Sequence, residues 1–431
     1  MVSMEHRANI YGQFGIKEPI LALAKETEEA VKEAFARIEA VRETNQLKVI
    51  RAMQLEKVSD SHFAGTTGYG YNDRGRETLE AVYARAFGAE DALVRHSITC
   101  GSHALALCLY GLLRPGDELL SVTGKPYDTL DEVIGIRGNP GAGSLKDFGI
   151  TYRQLELKNG EIDFDAIPGA INERTRMVFL TRSTGYSFRP PVTIEQIARV
   201  VETVKAVRKD ILVMVDNCYG EFVETLEPTD VGADVMAGSL IKNPGGGIAP
   251  AGGYIAGTRE AVEMVSYRMT LPGIGREVGA TLGQNRLLFQ GFFLAPHIVA
   301  ESLKGAVFTA WIMRRLGFET WPGPFDRRCD LIQAIRFGRE DAVKAFCQGI
   351  QKGSPVDSFV TPEPWDMPGY DAPVIMAAGA FIQGSSIELS ADGPIKPPYT
   401  AYMQGGLVYE HVKLGVMCAI QELSSRGIID L

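Results

Sequence analysis

One lysine, Lys242, stands in a segment of small and apolar residues that runs from Gly238 to Gly247. About one α/β unit upstream, Asp216 ends the apolar run Ile211–Val215. An amine and a buried acid are what a Schiff-base enzyme needs, because the amine condenses with an aldehyde and the acid pairs with a ring nitrogen. Burial is expected to lower the pKa of the Lys242 amine toward that of a nucleophile. A helix cap is the alternative role for Asp216.

Further residues could hold the rest of such a cofactor. Gly101 and Ser102 begin a predicted helix, where backbone N–H groups and the helix dipole favour a phosphate. Ser239 could add a hydrogen bond, and Tyr127 follows a predicted strand, where its ring could stack on a planar heterocycle. The alternatives are that Ser102 only caps its helix and Tyr127 only packs. Together with Lys242, this ordered set predicts a pyridoxal-phosphate enzyme.

The elements that must position these residues alternate between short apolar runs and helical patterns. Strands are predicted at 92–95, 118–121, 177–181, 211–216, 234–238 and 253–256, and helices at 78–87, 102–113, 130–134 and 194–207. This alternation predicts a doubly wound α/β domain with a mainly parallel sheet covered by helices. Later helices are expected at 276–293, 296–316 and 408–422, with a loop at 317–324. The predicted domains are a helical segment (1–58), a cofactor-binding α/β domain (59–300) and a smaller α/β C-terminal domain (301–431).

Composition narrows the class of partner. The 431 residues carry a formal net charge of −9, which disfavours a nucleic-acid surface and favours a small-molecule substrate. The six cysteines form no CxxC pair and no His/Cys cluster, so no disulfide scaffold and no metal site is predicted. The sequence shows neither a secretory signal pattern nor an apolar run of about 18 residues, so a cytoplasmic protein without a membrane span is expected.

Four longer strings carry a resemblance to a known family: Thr67–Tyr71 (TGYGY), Gly185–Tyr186, Gly238–Tyr254 and Phe381–Pro394. With them the chain resembles the cysteine/methionine-metabolism family of pyridoxal-phosphate enzymes. It is most similar to the subgroup of aluminium-resistance and methionine gamma-lyase-like carbon–sulfur lyases. The resemblance covers nearly the whole chain. It implies fold type I, the aspartate-aminotransferase-like fold, and a homodimer or homotetramer with shared active sites.

Carried onto this sequence, the resemblance implies catalytic roles for Lys242, Asp216 and Tyr127. Lys242 would bond covalently to pyridoxal 5′-phosphate, Asp216 would pair with its ring nitrogen, and Tyr127 would stack on the ring. The implied cofactor-binding residues are Tyr71, Gly101, Ser102, His103, Tyr127, Tyr186, Asp216, Ser239 and Lys242. Of these, Tyr71 would reach the phosphate in a neighbouring subunit.

Three positions depart from the family pattern. Asp73 stands where the lyases have an arginine, with Arg74 beside it, and Tyr186 replaces an asparagine that bonds the ring's phenolic oxygen. Glu388 occupies the position of the arginine that binds the substrate carboxylate. The candidates for that missing role are Arg182, Arg189, Arg276 and Lys396, and arginine is favoured because its fork binds carboxylates in a bidentate manner.

The predicted activity is therefore a carbon–sulfur lyase that acts on cystathionine, methionine or homocysteine by β- or γ-elimination. An aminotransferase or aldolase on the same cofactor is the alternative, since fold and cofactor do not fix which bond breaks. A non-catalytic metal-response protein is disfavoured, because the sequence has no cluster of hard oxygen ligands and keeps the lysine.

Overall fold

The computed structural model describes residues 10–186, 188–367 and 372–431, and these form two compact units. The central unit comprises Glu43–Gly185 and Arg189–Pro296. The terminal unit comprises the described residues of Met1–Arg42, Tyr186–Phe188 and His297–Leu431. The helical segment predicted at 1–58 is thus divided after Arg42, and its residues 1–9 lie outside the described part of the chain.

Seven strands form the sheet of the central unit. They are β1 (Asp91–Arg95), β2 (Glu118–Ser121), β3 (Thr151–Gln154), β4 (Thr175–Thr181), β5 (Leu212–Asp216), β6 (Val235–Ser239) and β7 (Gly253–Gly257). Their order is β1-β7-β6-β5-β4-β2-β3, and six of these strands run in one direction while β7 runs in the opposite direction. Nearly every residue of β4, β5 and β6 is buried, as expected for strands covered on both faces. The predicted mainly parallel α/β sheet is confirmed.

Helices precede, connect and follow these strands along the chain. They are α2 (Lys32–Leu55), α3 (Arg74–Ala86), α4 (Gly101–Leu112), α5 (Asp131–Ile134), α6 (Ala166–Ala170), α7 (Ile194–Val207), α8 (Arg259–Met269) and α9 (Asn285–Arg315). Short 3-10 segments lie at Asp60–Phe63, Asp128–Leu130, Lys146–Phe148, Pro228–Val231, Asn243–Gly245 and Gly275–Glu277. Specific residues define the start of α7, since Thr193 and Gln196 form a reciprocal capping box.

Two boundaries differ from the sequence-based expectation. The helices predicted at 276–293 and 296–316 are one helix, α9, which contains Pro296 and begins only at Asn285. Gly279 and Gly283 adopt positive φ angles of 124° and 80°, so residues 279–283 cannot be part of an α-helix. The edge strand β3 was not predicted, because its residues are only half-buried and lack an apolar run.

The terminal unit has an antiparallel sheet with the order β10-β11-β12-β9-β8. Its strands are β8 (Glu319–Trp321), β9 (Gln333–Arg336), β10 (Val374–Ala378), β11 (Ser390–Pro394) and β12 (Thr400–Gln404). Its helices include α1 (Glu18–Ala30), α10 (Glu340–Lys352) and α11 (Tyr409–Ser425). Because β8 lies at 319–321, the loop predicted at 317–324 is wrong in part. Gly349 lets α10 and α11 approach closely, since a Cβ there would lie 2.3 Å from the Ala419 Cα.

A buried acid gives the terminal unit a predictable pH dependence. Asp392 on β11 is 5% exposed; its Oδ2 accepts a 2.6 Å hydrogen bond from the Tyr186 hydroxyl, and its Oδ1 has no partner within the described residues. Burial raises the pKa of Asp392 to about 7, although the Tyr186 bond opposes the rise. The folded protein therefore holds this proton to higher pH than the unfolded chain, and stability falls as pH rises through about 7.

We expect Asp392→Asn to remove this dependence, since an amide needs no proton. Relative to the parent protein, the variant should gain roughly 4 kcal/mol between acidic and alkaline conditions. Thermal unfolding measured across this pH range checks the expectation. Asp341→Asn, which changes an exposed carboxylate of the same unit, is the control. Identical pH profiles for the parent protein and Asp392→Asn would contradict the assignment.

Candidate active site

Asp216 ends one strand of the central sheet, and Lys242 follows the end of the neighbouring strand. Asp216 is the last residue of β5 and pairs with Ala237 of β6, while Lys242 lies just beyond the end of β6. The Lys242 side chain is largely buried, and its Nζ lies 4.1 Å from the centroid of the Tyr219 ring. Carboxyl ends of parallel strands are where doubly wound sheets bind ligands. The structure thus brings together at this edge the two residues on which the sequence prediction depends most.

The electrostatics of this pair differ from the expectation for Lys242. Burial raises the pKa of Asp216, whereas the Lys242 cation lowers it, and the net direction is upward. Burial alone would lower the pKa of Lys242, but the surrounding Cys218, Tyr219 and Asp216 raise it more, so the net pKa is raised. The prediction that burial would dominate is therefore wrong for the protein without its cofactor. Lys242 is held as a cation and must lose a proton before it can act as a nucleophile.

Asp216 is placed by a local hydrogen bond. It is 5% exposed, and its Oδ1 accepts a 3.1 Å hydrogen bond from the Cys218 backbone N–H. This bond closes a turn and does not cap a helix, because residues 217–223 are not helical. The carboxylate therefore keeps an oxygen for a further partner.

The start of α4 approaches the end of β6 closely. A Cβ on Gly101 would lie 3.2 Å from both the Cys218 Sγ and the Ser239 Cβ, which is tighter than ordinary contact. Since the first N–H groups of a helix have no acceptor within it, this approach places free donors near the Ser239 hydroxyl. Ser102 is not the N-cap, as Cys100 holds that position, and the Ser102 hydroxyl lies 2.7 Å from that of Thr129. The simple capping role for Ser102 is therefore wrong.

Two more of the predicted cofactor residues lie on this unit. Tyr127 is 38% exposed, and its ring lies against Gly185, where a Cβ would be 3.7 Å from the ring carbon Cδ2. The His103 ring is oriented by a 3.1 Å hydrogen bond from the Thr99 backbone N–H to its Nδ1. Both side chains are thus positioned by their own unit.

Tyr71 stands on a rigid, exposed loop. Tyr71 and Tyr69 are 54% and 75% exposed, and their ring centroids are 5.7 Å apart. The buried Arg76 guanidinium donates 2.7 Å hydrogen bonds to the carbonyls of Gly70 and Gly279, which fixes the loop. A fixed loop that exposes two aromatic rings is suited to contact a second molecule.

Asp73, which stands in place of the family's arginine, serves its own chain. It caps α3 by accepting from the Arg76 backbone N–H, and it also accepts from the hydroxyls of Thr66 and Thr281. These bonds lower the pKa of Asp73 despite its burial. A carboxylate bound in this way would repel a phosphate, whereas the exposed neighbour Arg74 carries a positive charge.

The candidates for the substrate carboxylate lie in different surroundings. Arg182 is fully buried and donates to Asn217 at 2.7 Å and Glu224 at 2.8 Å. Arg276 pairs with Glu80 and Asp91. These two guanidinium groups are thus occupied by structural partners.

Arg189 donates to the Ser183 carbonyl at 2.8 Å. Lys396 is exposed on the terminal unit. On the same unit, Glu388 accepts hydrogen bonds from the backbone N–H groups of Phe381 (2.8 Å) and Ile382 (2.9 Å). Where the family has its arginine, this chain therefore uses a carboxylate to fix a loop.

Sequence reasoning missed Glu221. This residue lies five positions after Asp216, is fully buried, and accepts a 2.8 Å hydrogen bond from the Tyr254 hydroxyl. The available signal was an acid within the mostly apolar and small residues between Asp216 and Val223. An acid there is costly unless it is paired or protonated.

The Lys242 loop depends on glycine. Gly246 has a φ of 54°, and a Cβ there would lie 2.4 Å from the Gly291 carbonyl oxygen. We expect Gly246→Ala to destabilise the protein by about 2 kcal/mol or more, because backbone atoms must move. Urea unfolding measures this. Gly169→Ala is the control, since a Cβ there meets nothing within 4 Å; an equal effect of both variants would contradict the argument.

The fold and this site define the class of protein: an α/β enzyme of fold type I, the pyridoxal-phosphate-dependent fold. In agreement, the pyridoxal-5′-phosphate-dependent protein YhfS of Escherichia coli superposes with a TM-score of 0.61 over 90% of this chain and 97% of its own, at 17% identity. At this identity the likeness concerns the fold alone.

The methionine gamma-lyase family model matches residues 20–424, and the chain belongs to that family. The uncharacterized protein YnbB of Bacillus subtilis (strain 168) is 54% identical over 407 residues, 94% of this chain and 97% of YnbB. A carbon–sulfur lyase involved in aluminum resistance from Clostridium novyi NT superposes with a TM-score of 0.94 at 50% identity, over 98% of this chain and 100% of that one. The predicted family, fold and general class of function, a pyridoxal-phosphate-dependent carbon–sulfur lyase, are confirmed.

No helix among the described residues is long and apolar enough to cross a membrane. Within the same residues, no group of three or more His, Cys, Asp and Glu side chains is arranged to hold a metal ion.

Proposed function

We propose that this protein binds pyridoxal 5′-phosphate at the edge of the central sheet and cleaves a carbon–sulfur bond of cystathionine, methionine or homocysteine. The observation that carries the proposal is the placement of Lys242 and Asp216 at the ends of adjacent strands, β6 and β5. Gly101 and Ser239 meet at the same edge and add a site for a phosphate.

The residues present fit this cofactor. The N–H groups at the start of α4 and the Ser239 hydroxyl would hold its phosphate, because donors at a helix N-terminus favour an anion. Asp216 would hold the proton on the ring nitrogen, Tyr127 would cover the ring, and the Lys242 amine would bond to the aldehyde. When bound, the cofactor supplies an electron-withdrawing ring that stabilises negative charge on the substrate α-carbon.

Two residues of the chain would then transfer protons, one as an acceptor and one as a donor. The Lys242 amine, once replaced by the substrate amine, accepts the α-proton as a general base. The Tyr127 hydroxyl, partly exposed at the same edge, can donate a proton to the sulfur atom that leaves. A sulfur attached at Cβ can leave once the α-proton has been removed, whereas a sulfur attached at Cγ leaves only after a proton has also been removed from Cβ. The product is a thiol, or hydrogen sulfide when the substrate is homocysteine.

The substrate carboxylate needs a cationic partner other than Glu388. We assign this role first to Arg189, because it is an arginine of the central unit and the guanidinium fork binds carboxylates in a bidentate manner. Lys396 is the second candidate, since it is exposed. Arg189→Ala should then raise KM more than it lowers kcat.

Two further roles rest on the resemblance and the exposed residues. We infer a homodimer or homotetramer in which Tyr71 reaches the cofactor phosphate of the neighbouring subunit, because a fixed loop exposes Tyr69 and Tyr71. By the resemblance, the Tyr186 hydroxyl would make the hydrogen bond to the ring's phenolic oxygen that an asparagine makes in the family. Six free cysteines support a reducing compartment, the cytoplasm.

Product analysis tests the proposed reaction. The purified protein loaded with pyridoxal phosphate is supplied separately with cystathionine, methionine and homocysteine. Release of a thiol, or of hydrogen sulfide from homocysteine, together with a 2-oxo acid supports a lyase. Pyruvate indicates β-elimination and 2-oxobutyrate indicates γ-elimination. A reaction that needs an added 2-oxo acid and releases no thiol would show an aminotransferase instead.

A further inference from the structure

Glu221 lies behind the end of β6 in a space that a glycine provides. Its side chain is fully buried, and a Cβ on Gly238 would lie 2.6 Å from its Oε1. Gly238 directly precedes Ser239, so the Glu221 carboxyl contacts the strand that leads to Lys242. The absence of a side chain at Gly238 is therefore what admits an acid to this position.

The Glu221 backbone also holds the turn that carries Lys242. Asn243, the next residue after Lys242, donates a 2.9 Å hydrogen bond from its Nδ2 to the Glu221 carbonyl oxygen. Asn243 is fully buried and begins the 3-10 segment Asn243–Gly245. A shift of the Glu221 backbone would therefore move the Lys242 turn.

A chain of hydrogen bonds fixes the Glu221 carboxyl. Arg182 Nη1 donates to Asn217 Oδ1 (2.7 Å), Asn217 Nδ2 donates to the Tyr254 hydroxyl (3.3 Å), and that hydroxyl donates to Glu221 Oε1 (2.8 Å). The remaining oxygen, Oε2, is buried without a hydrogen-bond partner in the described part of the chain. This oxygen is where the carboxyl can carry a proton.

Glu221 is electrostatically linked to Lys242. Burial raises the pKa of Glu221 to about 8, while the Tyr254 hydrogen bond and the Lys242 cation oppose the rise. The titratable groups that face it are Tyr83 of α3, Cys218 and Glu227 of the segment after β5, Lys242 of the segment after β6, and Tyr254 of β7. Of these, Lys242 supplies the cationic charge. The acid thus changes charge in the pH range where an enzyme works.

We propose that Glu221 is a positioning residue for Lys242, which fixes the lysine turn through Asn243 and controls how firmly the Lys242 nitrogen holds its proton. The inference rests on the proposed function and adds a second buried acid to Asp216. An ionised Glu221 stabilises the cation on Lys242, and a neutral Glu221 lets the proton leave more easily. The two acids have separate tasks, since Asp216 faces the cofactor ring and Glu221 serves the lysine.

The test is a pH titration of the protein loaded with pyridoxal phosphate, followed by the visible absorbance of the bound cofactor. This absorbance reports the protonation of the Lys242 nitrogen and does not require turnover. Glu221→Gln keeps the shape and the acceptor for Tyr254 but cannot ionise. In Glu221→Gln, we expect the pH midpoint of the absorbance change to move to lower pH by about one pH unit.

Tyr254→Phe is the second variant, and it allows the proposal to be tested even if Glu221→Gln fails to fold. Loss of the hydroxyl removes a bond that favours ionised Glu221, so its midpoint should also move to lower pH. Glu118→Gln is the matched control, because Glu118 is a buried acid at the opposite end of the sheet, paired with Arg153. Its midpoint should equal that of the parent protein.

The outcomes separate the two proposals. If the parent protein shows no bound cofactor, the proposed function itself fails. If the parent protein binds the cofactor and neither Glu221→Gln nor Tyr254→Phe moves the midpoint, the role of Glu221 is overturned. A shift of equal size in Glu118→Gln would overturn it as well, since the effect would then be general to buried acids.

Discussion

Replacement of Lys242 by alanine is expected to lower kcat/KM for thiol release by about 10³-fold or more. The variant loses both the amine that bonds to the cofactor and the base that accepts the α-proton. The fold should survive, because Lys242 lies beyond β6 and is not one of the side chains that fill the core. The measurement is thiol release from the preferred sulfur amino acid, together with thermal unfolding of both proteins.

Lys209→Ala is the control for this substitution, since Lys209 is an exposed lysine of the same unit. Its rate should match that of the parent protein. A Lys242→Ala variant that folds and keeps more than about one tenth of the parent rate would show that the chemistry does not depend on this lysine.

Replacement of Asp216 by asparagine is expected to lower kcat by about 10² to 10³-fold. The amide keeps the shape and can still accept from the Cys218 N–H, but it carries no negative charge to hold a proton on the ring nitrogen. KM should change less than kcat, because the interaction matters most when negative charge develops on the substrate. Steady-state kinetics on the cofactor-loaded variant gives both values.

Asp234→Asn is a matched control for this second substitution. Asp234 directly precedes β6 at its other end and pairs with Lys205 at 2.8 Å. Its loss should cost stability and leave kcat near the parent value. Equal kinetic losses in the two variants would mean that Asp216 acts on the fold and has no special part in the reaction.

The sheet of the central unit could be predicted because its strands are buried on both faces. Runs such as Leu212–Asp216 are apolar almost throughout, so each strand is visible by itself. β3 and β8 lack such an apolar run and were not predicted, since β3 is a half-buried edge strand and β8 has only three residues. The late start of α9 depends on the backbone angles of Gly279 and Gly283, which a helical pattern of side chains does not reveal.

The residues at the centre of the site could be predicted from the sequence, whereas their electrostatic environment could not. The topology brings to one edge of the sheet the strand ends that carry Asp216 and Ser239, the segment with Lys242 and the helix start at Gly101. The grouping of these residues therefore follows from the order of the strands. The raised pKa of Lys242 could not be predicted, because the groups that outweigh burial, Cys218, Tyr219 and Asp216, are brought to it only by the three-dimensional arrangement.

The departures from the family pattern acquire physical meaning in the structure. Asp73 caps α3 and braces a loop, and Glu388 holds the backbone N–H groups of Phe381 and Ile382. Both positions use a carboxylate to organise the chain where relatives were expected to use an arginine to bind an anion. Under the proposed function, a cation elsewhere in the chain would then recognise the substrate carboxylate, and this change of partner would affect substrate choice.

The covalent attachment of the cofactor to Lys242 is the central claim, and chemical trapping tests it most directly. The protein loaded with pyridoxal phosphate is reduced with borohydride, digested and analysed by peptide mass spectrometry. One reduced cofactor adduct is expected, on the peptide that contains Lys242, and none is expected in Lys242→Ala. An adduct on a different lysine, or no adduct on a protein that has bound the cofactor, would contradict it.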